Sequence, residues 1–315
     1  MEYKHIDQQT QNPFLQLVKL VIYIIGGLFV GQFLAYGMLL PIYQFDFNAV
    51  NNMITAPMSS PDVRIPYLML QACMSISMFG LAPMAFWHFS EEKSLVDIWT
   101  FKESNWPILC LLGGAIAIAA MPLGTYLGAW NQSMHLPESL SLVEEYMRET
   151  EDRLGELTKF LLDFESTGQF LVGLIVIAVL PGLLEELLFR GILQNILHRY
   201  TRNIHWAIWI SAFVFAAIHF QFYGFLPRMV LGALFGYLYF WSGKLIVPIF
   251  AHFLNNAYTV TAFYLKKDLF TDQVDFEQVS TPPVYVLLIS VMVLVALLFT
   301  FYKSTVRSEE QIHQQ

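Results

Sequence analysis

The side chains best able to carry chemistry are few, because ionisable residues are rare within the long apolar runs of this sequence. Glu185 and Glu186 lie in the stretch PGLLEELLFRG, and Arg190 follows four residues after Glu186. His219 and His252 are the histidines placed well inside apolar runs. An ionisable side chain within a membrane span is costly and is therefore a candidate for function.

Helical spacing indicates which of these side chains share a face. Glu186 and Arg190 are four residues apart, so they can form a charge pair that lowers the cost of burying both. Glu185 is turned by about 100° from Glu186 and is left available for another task. A purely structural ion pair explains Arg190 and one glutamate, but it does not explain the second glutamate.

Each histidine has companions at helical spacing. Phe215 precedes His219 by four residues, while Asn255 and Asn256 follow His252 by three and four residues. Residues at these separations lie on one helix face. A single histidine of this kind is as well explained by a hydrogen bond between helices as by catalysis. The catalytic interpretation depends on all these side chains meeting at one depth.

Such a group of side chains supports attack of water on a peptide carbonyl. Glu185 and His219 would hold and deprotonate the water, and His252 and Asn256 would donate hydrogen bonds to the oxyanion that forms. A zinc site is an alternative, with Glu185, His219 and His252 as ligands and water in the open position. Because the sequence lacks a His-Glu-x-x-His pair on one helix, no metal is firmly predicted.

Membrane helices must position these residues. The composition is 56% hydrophobic and 13% charged, and the apolar runs approach the roughly 20 residues that cross the hydrocarbon core as a helix. We therefore predict an all-α polytopic membrane bundle of about eight transmembrane helices. The predicted helices are Phe14–Leu40, Ile65–Trp87, Trp106–Trp130, Phe170–Leu197, Trp206–Phe220, Phe225–Trp241, Leu245–Leu265 and Val284–Tyr302.

The chain divides into four predicted segments. Residues 1–130 hold the first three helices, 131–168 a polar connection, 169–265 the catalytic core with helices four to seven, and 283–315 the last helix and tail. From Pro137 the connection has the pattern of an amphipathic helix. Its predicted apolar side comprises Leu140, Val143, Met147, Leu154, Leu157 and Leu161, and its other side is mostly acidic.

Charge and cysteine content limit location and partners. The net charge of −8 argues against a nucleic-acid partner, since phosphate binding needs clustered Lys and Arg. Cys73 and Cys110 lie in apolar runs and are predicted to be buried thiols rather than a disulfide. Basic residues in the short connections predict that both termini face the cytoplasm, in the cytoplasmic membrane. The predicted inside set is Lys4, Lys19, Lys93, Lys102, Arg199, Arg202, Lys244, Lys303 and Arg307, against Arg64, Arg228, Lys266 and Lys267 outside.

Three motifs follow one another on consecutive predicted helices: Glu-Glu-x-x-x-Arg from residue 185, Phe-x-x-x-His from 215 and His-x-x-x-Asn from 252. This order resembles the CPBP family, which comprises CAAX-type prenyl endopeptidases and bacteriocin-processing membrane proteins and is also called the Abi family. The resemblance covers roughly residues 172–258.

The resemblance implies a glutamate-dependent intramembrane endopeptidase that acts on a membrane-associated or lipidated peptide or protein. It assigns water activation to Glu185 and His219 and the oxyanion hole to His252 and Asn256, with Glu186 and Arg190 as a supporting pair. Members of the family have also been described as metalloproteases, so zinc stays open.

Two other classes compete with the protease. One is a non-enzymatic membrane protein, such as an immunity factor or a scaffold, that keeps the polar cluster as architecture. The other is a proton-coupled transporter, since buried Glu and His also form proton relays. A transporter would be expected to show inverted repeats or paired broken helices, which the sequence does not show.

Overall fold

The computed structural model describes residues 12–92, 106–265 and 281–313, with side-chain surroundings as far as residue 305. Within these ranges the chain is helical and contains no strand, which confirms the predicted all-α fold. We label the helices α1 Pro13–Ile42, α2 Phe47–Thr55, α3 Pro61–Phe89, α4 Trp106–Gln132, α5 Ser141–Leu162, α6 Thr167–Thr201, α7 Ile204–Ala217, α8 Phe225–Ser242, α9 Ile246–Leu265 and α10 Val284–His313.

Every apolar run predicted to be a helix is one. Most ends are displaced by a few residues, and α10 continues past its predicted end at Tyr302 to His313. Within the described ranges, five helices are long and apolar enough to cross a membrane: α1, α3, α4, α6 and, over Val284–Thr305, α10. The predicted count of eight spans is not confirmed. Helix α7 has 14 residues, or about 21 Å, and α8 and α9 carry the polar side chains of Arg228, His252 and Asn256.

Helix α6 lies between the two halves of the bundle. On one side α1 packs against α3, and on the other α4 packs against α8, α9 and α10. The larger apolar core belongs to the second half and includes Ile116, Phe235, Val247 and Phe301, each fully buried. Helix α6 contacts α3 in the first half and α9 in the second, so its polar residues face neighbouring helices on both sides.

Two stretches of α6 are π-helical, Ile175–Val179 and Leu187–Leu193. A π-helical turn contains more residues than an α-helical turn, so it shifts the face on which later side chains lie. Glu185 and Glu186 lie between the two stretches, in the α-helical segment Leu180–Glu186. Such local widening is frequent at functional sites.

The amphipathic connection folds as predicted into helix α5. Leu157 and Leu161 pack against Leu68 of α3, while Leu140 and Val143 on the same predicted side are 45% and 48% exposed. The apolar residues of the C-terminal half of α5 are therefore docked on the bundle, whereas the apolar residues at its N-terminal end are exposed. Cys73 and Cys110 are buried free thiols, as predicted.

Candidate active site

Glu186 is the centre of the polar cluster and has no exposed surface. Arg190 Nη1 donates a hydrogen bond of 2.8 Å to Glu186 Oε1. His252 Nδ1 lies 2.8 Å from the same oxygen. The predicted charge pair between Glu186 and Arg190 is thus confirmed, and a histidine from another helix joins it. The second oxygen, Oε2, has no hydrogen-bond partner among the described residues.

Arg190 is held by α8 and by two aromatic rings, while its Nε has no hydrogen-bond partner among the described residues. Its Nη2 donates to the carbonyl oxygen of Gly232 on α8 at 2.6 Å. Its guanidinium carbon lies 5.1 Å from the ring centre of Phe215 and 5.6 Å from that of Phe235, within the range of cation–π attraction. Because Arg190 is 1% exposed, these contacts replace water around its charge.

His252 lies between the two glutamates. Its Nδ1 faces Glu186, and its Nε2 lies 4.0 Å from Glu185 Oε2. The imidazole stacks on Phe235, with ring centres 5.1 Å apart and planes inclined by 25°. A proton on Nδ1 directed at Glu186 leaves Nε2 to interact with Glu185 or with a bound molecule.

A close helix crossing brings these residues together. A Cβ atom at Gly182 would lie 2.9 Å from the backbone nitrogen of Phe253 and 3.0 Å from its Cα, so only glycine fits there without movement of the backbone. Glycine therefore lets α6 approach the backbone of α9 at this point. Glu185 and Glu186 follow one turn later and face His252, which precedes Phe253.

His219 lies in the turn after α7 rather than within the helix. The predicted end at Phe220 was wrong, because α7 ends at Ala217 and Phe220 has a left-handed φ of 53°. His219 Nδ1 is 2.7 Å from the carbonyl oxygen of Phe215. The Phe215 ring centre is 5.1 Å from that of His219 and 5.9 Å from that of His252. Within the described residues His219 makes no hydrogen bond to Glu185.

The predicted oxyanion donor Asn256 is half-buried and points toward α6. Its Nδ2 donates to the carbonyl oxygen of Ile177, in the first π-helical stretch, at 3.2 Å. Asn255 donates in turn to Asn256 Oδ1 at 3.2 Å. An amide carries two N–H donors, so one donor of Asn256 is left after the bond to Ile177.

The zinc alternative lacks a matching ligand set in the described part of the chain. No group of three or more His, Cys, Asp or Glu side chains is placed there to hold a metal ion. Glu185 and His252 approach each other, but the Nδ1 atom of His219 is turned to its own backbone. We therefore derive no step through a metal.

The sequence interpretation missed a polar link beside His219. Arg228 of α8 donates to Gln221 Oε1, and Gln221 Nε2 donates to Glu151 Oε1 at 3.3 Å. The backbone N–H of Tyr223 donates to Glu151 Oε2 at 3.2 Å. Burial raises the pKa of Glu151, against the lowering effect of the bond from Tyr223. Arg228 was counted only as a loop charge, and no local spacing indicated these contacts.

The fold and this cluster together define an all-α membrane protein in which glutamates, histidines and an arginine meet between helices. Residues 167–258, which contain the cluster, match the family model described as type II CAAX prenyl endopeptidase Rce1-like. The predicted resemblance is confirmed over these residues, which are similar to the CAAX prenyl endopeptidase family, and the match indicates a CAAX-type membrane protease.

Two proteins of Bacillus subtilis (strain 168) are similar to the chain. "Uncharacterized protein YpbD" is 28% identical over 183 residues, which cover 57% of this chain and 80% of that protein. "Putative membrane peptidase YdiL" is 32% identical over 108 residues, which cover 34% of this chain and 43% of that protein. No solved structure matches the chain significantly.

Proposed function

We propose that this chain is a glutamate-dependent intramembrane endopeptidase that hydrolyses peptide bonds of a membrane-associated or lipidated peptide or protein. The observation that carries this proposal is the unequal use of the two glutamates. Glu186 is engaged by Arg190 and His252 at 2.8 Å each, whereas the nearest charged partner of Glu185 in the described chain is His252 at 4.0 Å. Glu186 serves the architecture, and Glu185 is available to act on water.

In the proposed reaction, Glu185 and His219 hold a water molecule against the scissile carbonyl. Glu185 accepts a proton as the water oxygen bonds to the carbonyl carbon, and the carbonyl oxygen becomes an oxyanion. His252 must carry a proton on both ring nitrogens in this step, so that Nδ1–H stays on Glu186 while Nε2–H donates to the oxyanion. The second N–H of Asn256 donates to the same oxygen. As the C–N bond breaks, the proton passes to the leaving nitrogen, so the products are a carboxylate and an amine.

Aromatic side chains support this chemistry by fixing the donors. Phe215 contacts the rings of both His219 and His252, and Phe235 stacks on His252. A transition state is stabilised most by groups that need no reorganisation when charge develops. The two phenylalanines hold the imidazoles in position before the substrate arrives.

The location follows from the same proposal. The chain is an integral membrane protein, and we propose the cytoplasmic membrane with both termini on the cytoplasmic side. Lys4, Lys93, Lys102, Lys266 and Lys267, which were used in that inference, lie outside the described residues. Reporter fusions at residue 315 would test it, since activity of a periplasm-specific reporter there would contradict the assignment.

Hydrolysis of short peptides by the purified full chain tests the proposal. The panel contains lipidated and unlipidated versions of one sequence, and the variants are Glu185→Gln and His219→Ala. We expect either substitution to lower turnover by roughly 10²- to 10⁴-fold. Glu149→Gln, which removes an exposed carboxylate on α5, is the matched control and should cleave at the wild-type rate.

Two results would change the assignment. Cleavage by Glu185→Gln at the wild-type rate would exclude Glu185 as the base. No cleavage of any peptide by folded wild-type protein would favour a binding or immunity protein. A chelator added in parallel separates metal-assisted from metal-free activation of water.

A further inference from the structure

The turn that carries His219 joins α7 to α8, and its backbone is strained. Phe220, the next residue, has a left-handed φ of 53°, which is unfavourable for a bulky residue. Its own side chain does not hold it in place, since Phe220 is 67% exposed. Backbone of this kind persists only where the surrounding structure fixes it. The position of His219 therefore depends on what holds the turn from outside.

Glu151 of α5 holds this turn with both of its carboxylate oxygens. Gln221 Nε2 donates to Oε1 at 3.3 Å, and the backbone N–H of Tyr223 donates to Oε2 at 3.2 Å. Gln221 and Tyr223 follow His219 by two and four positions. A charged acceptor forms stronger hydrogen bonds than a neutral one, so the carboxylate anchors the second half of the turn to a different helix.

A second contact from α5 supports the first. The guanidinium carbon of Arg148 lies 4.7 Å from the ring centre of Tyr223, within the range of cation–π attraction, and Tyr223 is 5% exposed. Arg148 is held in turn by hydrogen bonds of 3.1 and 2.7 Å to Glu144. Because Arg148 and Glu151 are three residues apart, they lie on one face of α5. That face contacts the turn.

The charge of Arg228 connects Glu151 to the candidate active site. Arg228 interacts electrostatically with both Glu151 and Glu185. It also donates to Oε1 of Gln221, whose Nε2 donates to Glu151. A chain of hydrogen bonds thus runs from α8 through the turn to α5. Loss of the Glu151 carboxylate would break this chain and would remove an opposite charge from the surroundings of Arg228.

We propose that Glu151 is a positioning residue, which holds the turn after α7 so that His219 faces the water on which Glu185 acts. This inference rests on the proposed endopeptidase function and adds to it a residue outside the three motifs. Glu151 acts through the turn and is not itself a catalytic residue. The polar connection of residues 131–168 then contributes to hydrolysis as well as joining α4 to α6.

Docking of α5 for stability alone is the other explanation of these contacts. The observations favour positioning, because both oxygens of Glu151 are directed at the turn that carries His219. The residues that dock α5 on the bundle, Leu157 and Leu161, lie six and ten positions further along the helix. A residue that acts through His219 should lose its effect on the rate when His219 is absent, whereas a residue that acts on stability should not.

Kinetics of the purified full chain test the positioning role. On a fluorogenic peptide, kcat and KM are measured for wild type, Glu151→Ala, Glu151→Gln and Gln221→Ala, and SDS unfolding identifies any variant that is not folded. The matched control is Glu149→Ala, which removes an exposed carboxylate of the same helix. The two milder variants keep the test decisive if Glu151→Ala does not fold.

We expect Glu151→Ala to lower kcat by roughly 10- to 100-fold with KM changed by no more than about twofold, because misplacing a reacting group slows the chemical step more than it weakens binding. Glu151→Gln keeps one acceptor oxygen, and Gln221→Ala keeps the bond from Tyr223, so each should lower kcat less. Glu149→Ala should cleave at the wild-type rate. A folded Glu151→Ala protein with the wild-type kcat would overturn the proposal.

Dependence on His219 is measured in single turnovers with excess enzyme. Adding Glu151→Ala to His219→Ala should change the rate by no more than about twofold, since the group that Glu151 positions is already missing. A further loss of roughly 10-fold or more in that background would overturn the proposal, because independent effects multiply. Glu151 would then be assigned to stability.

Hydrogen exchange separates this proposal from the proposed function, because it needs no turnover. Mass spectrometry of a peptide that spans residues 218–224 includes the amide of Tyr223, and exchange there should be roughly 10-fold faster in Glu151→Ala than in wild type or Glu149→Ala. If wild type cleaves no peptide but Glu151→Ala accelerates this exchange, the endopeptidase fails and the anchoring of the turn stands. If wild type cleaves while neither exchange nor kcat responds to Glu151→Ala, the positioning role fails alone.

Discussion

Replacing Arg190 with methionine tests whether the charge pair supports the core of the protein. Methionine keeps an unbranched chain but removes the donors to Glu186 Oε1 and to Gly232 O. Glu186 has no exposed surface, and its carboxylate would keep His252 as its partner among the described residues. Loss of one partner of a buried ion pair costs about 3–5 kcal/mol, because it leaves an uncompensated charge. We therefore expect Arg190→Met to lower the free energy of unfolding by about 3–5 kcal/mol.

The magnitude can be measured with a double-mutant cycle. The purified chain in mixed micelles is unfolded with increasing SDS, and tryptophan fluorescence reports the transition for wild type, Arg190→Met, Glu186→Gln and the double variant. In Glu186→Gln, Arg190 keeps its hydrogen bond to Gly232 O and its contacts with two aromatic rings. This variant should therefore lower the free energy of unfolding by about 1–3 kcal/mol. The double variant removes the buried charge and should be more stable than Arg190→Met alone.

The control is Arg153→Met on the exposed side of α5. It should change the free energy of unfolding by no more than about 0.5 kcal/mol. The reasoning is refuted if Arg190→Met lies within about 1 kcal/mol of wild type. It is also refuted if the double variant is as unstable as the sum of the two single variants, since the pair would then have no coupling energy.

Two further predictions concern the helix crossing and α5. Gly182→Ala forces backbone movement against Phe253 and should lower the free energy of unfolding by about 1–3 kcal/mol in the same SDS assay. Gly37→Ala is the control: an added Cβ there meets open space, so it should raise the free energy of unfolding by about 0.5–1 kcal/mol. Equal effects of the two substitutions would contradict the argument that α6 and α9 cross closely at Gly182. Hydrogen bonds from Arg148 first, and then from other donors, lower the pKa of Glu144 from 4.5 to about 2. The stability that the ionised Glu144 contributes should therefore be complete above pH 4.5 and disappear as the pH falls toward about 2. A difference in unfolding midpoint between wild type and Glu144→Gln that grows on acidification would contradict this prediction.

Local spacing made part of the site predictable. The Glu186–Arg190 pair follows from a separation of four residues on one helix, and the contact of Phe215 with His219 follows from the same separation even though α7 ends at Ala217. The apolar runs located the helices because a span in lipid must form its backbone hydrogen bonds within the helix, and its side chains must be apolar. The pair, the ring contact and the helix positions could be predicted because each depends only on residues that are close in sequence.

Contacts between helices were not predictable in the same way. His252 reaches Glu186 because α6 and α9 cross at Gly182, and the depth of that crossing depends on which side chains interdigitate. The π-helical stretches of α6 change the direction of later side chains without a clear signal in the sequence. Arg228 was counted only among the outside charges, at the start of its predicted helix, whereas its contact with Gln221 depends on how the turn before α8 folds back.

One oxygen atom, Glu186 Oε1, accepts hydrogen bonds from both Arg190 and His252. This shared acceptor has an evolutionary consequence. No one of the three residues can be exchanged without leaving a buried charge or donor unmatched, although Glu186 and His252 are 66 residues apart. Substitutions at these three positions should therefore survive only in combination. Relatives that lose the arginine should also have changed the residues that correspond to Glu186 and His252.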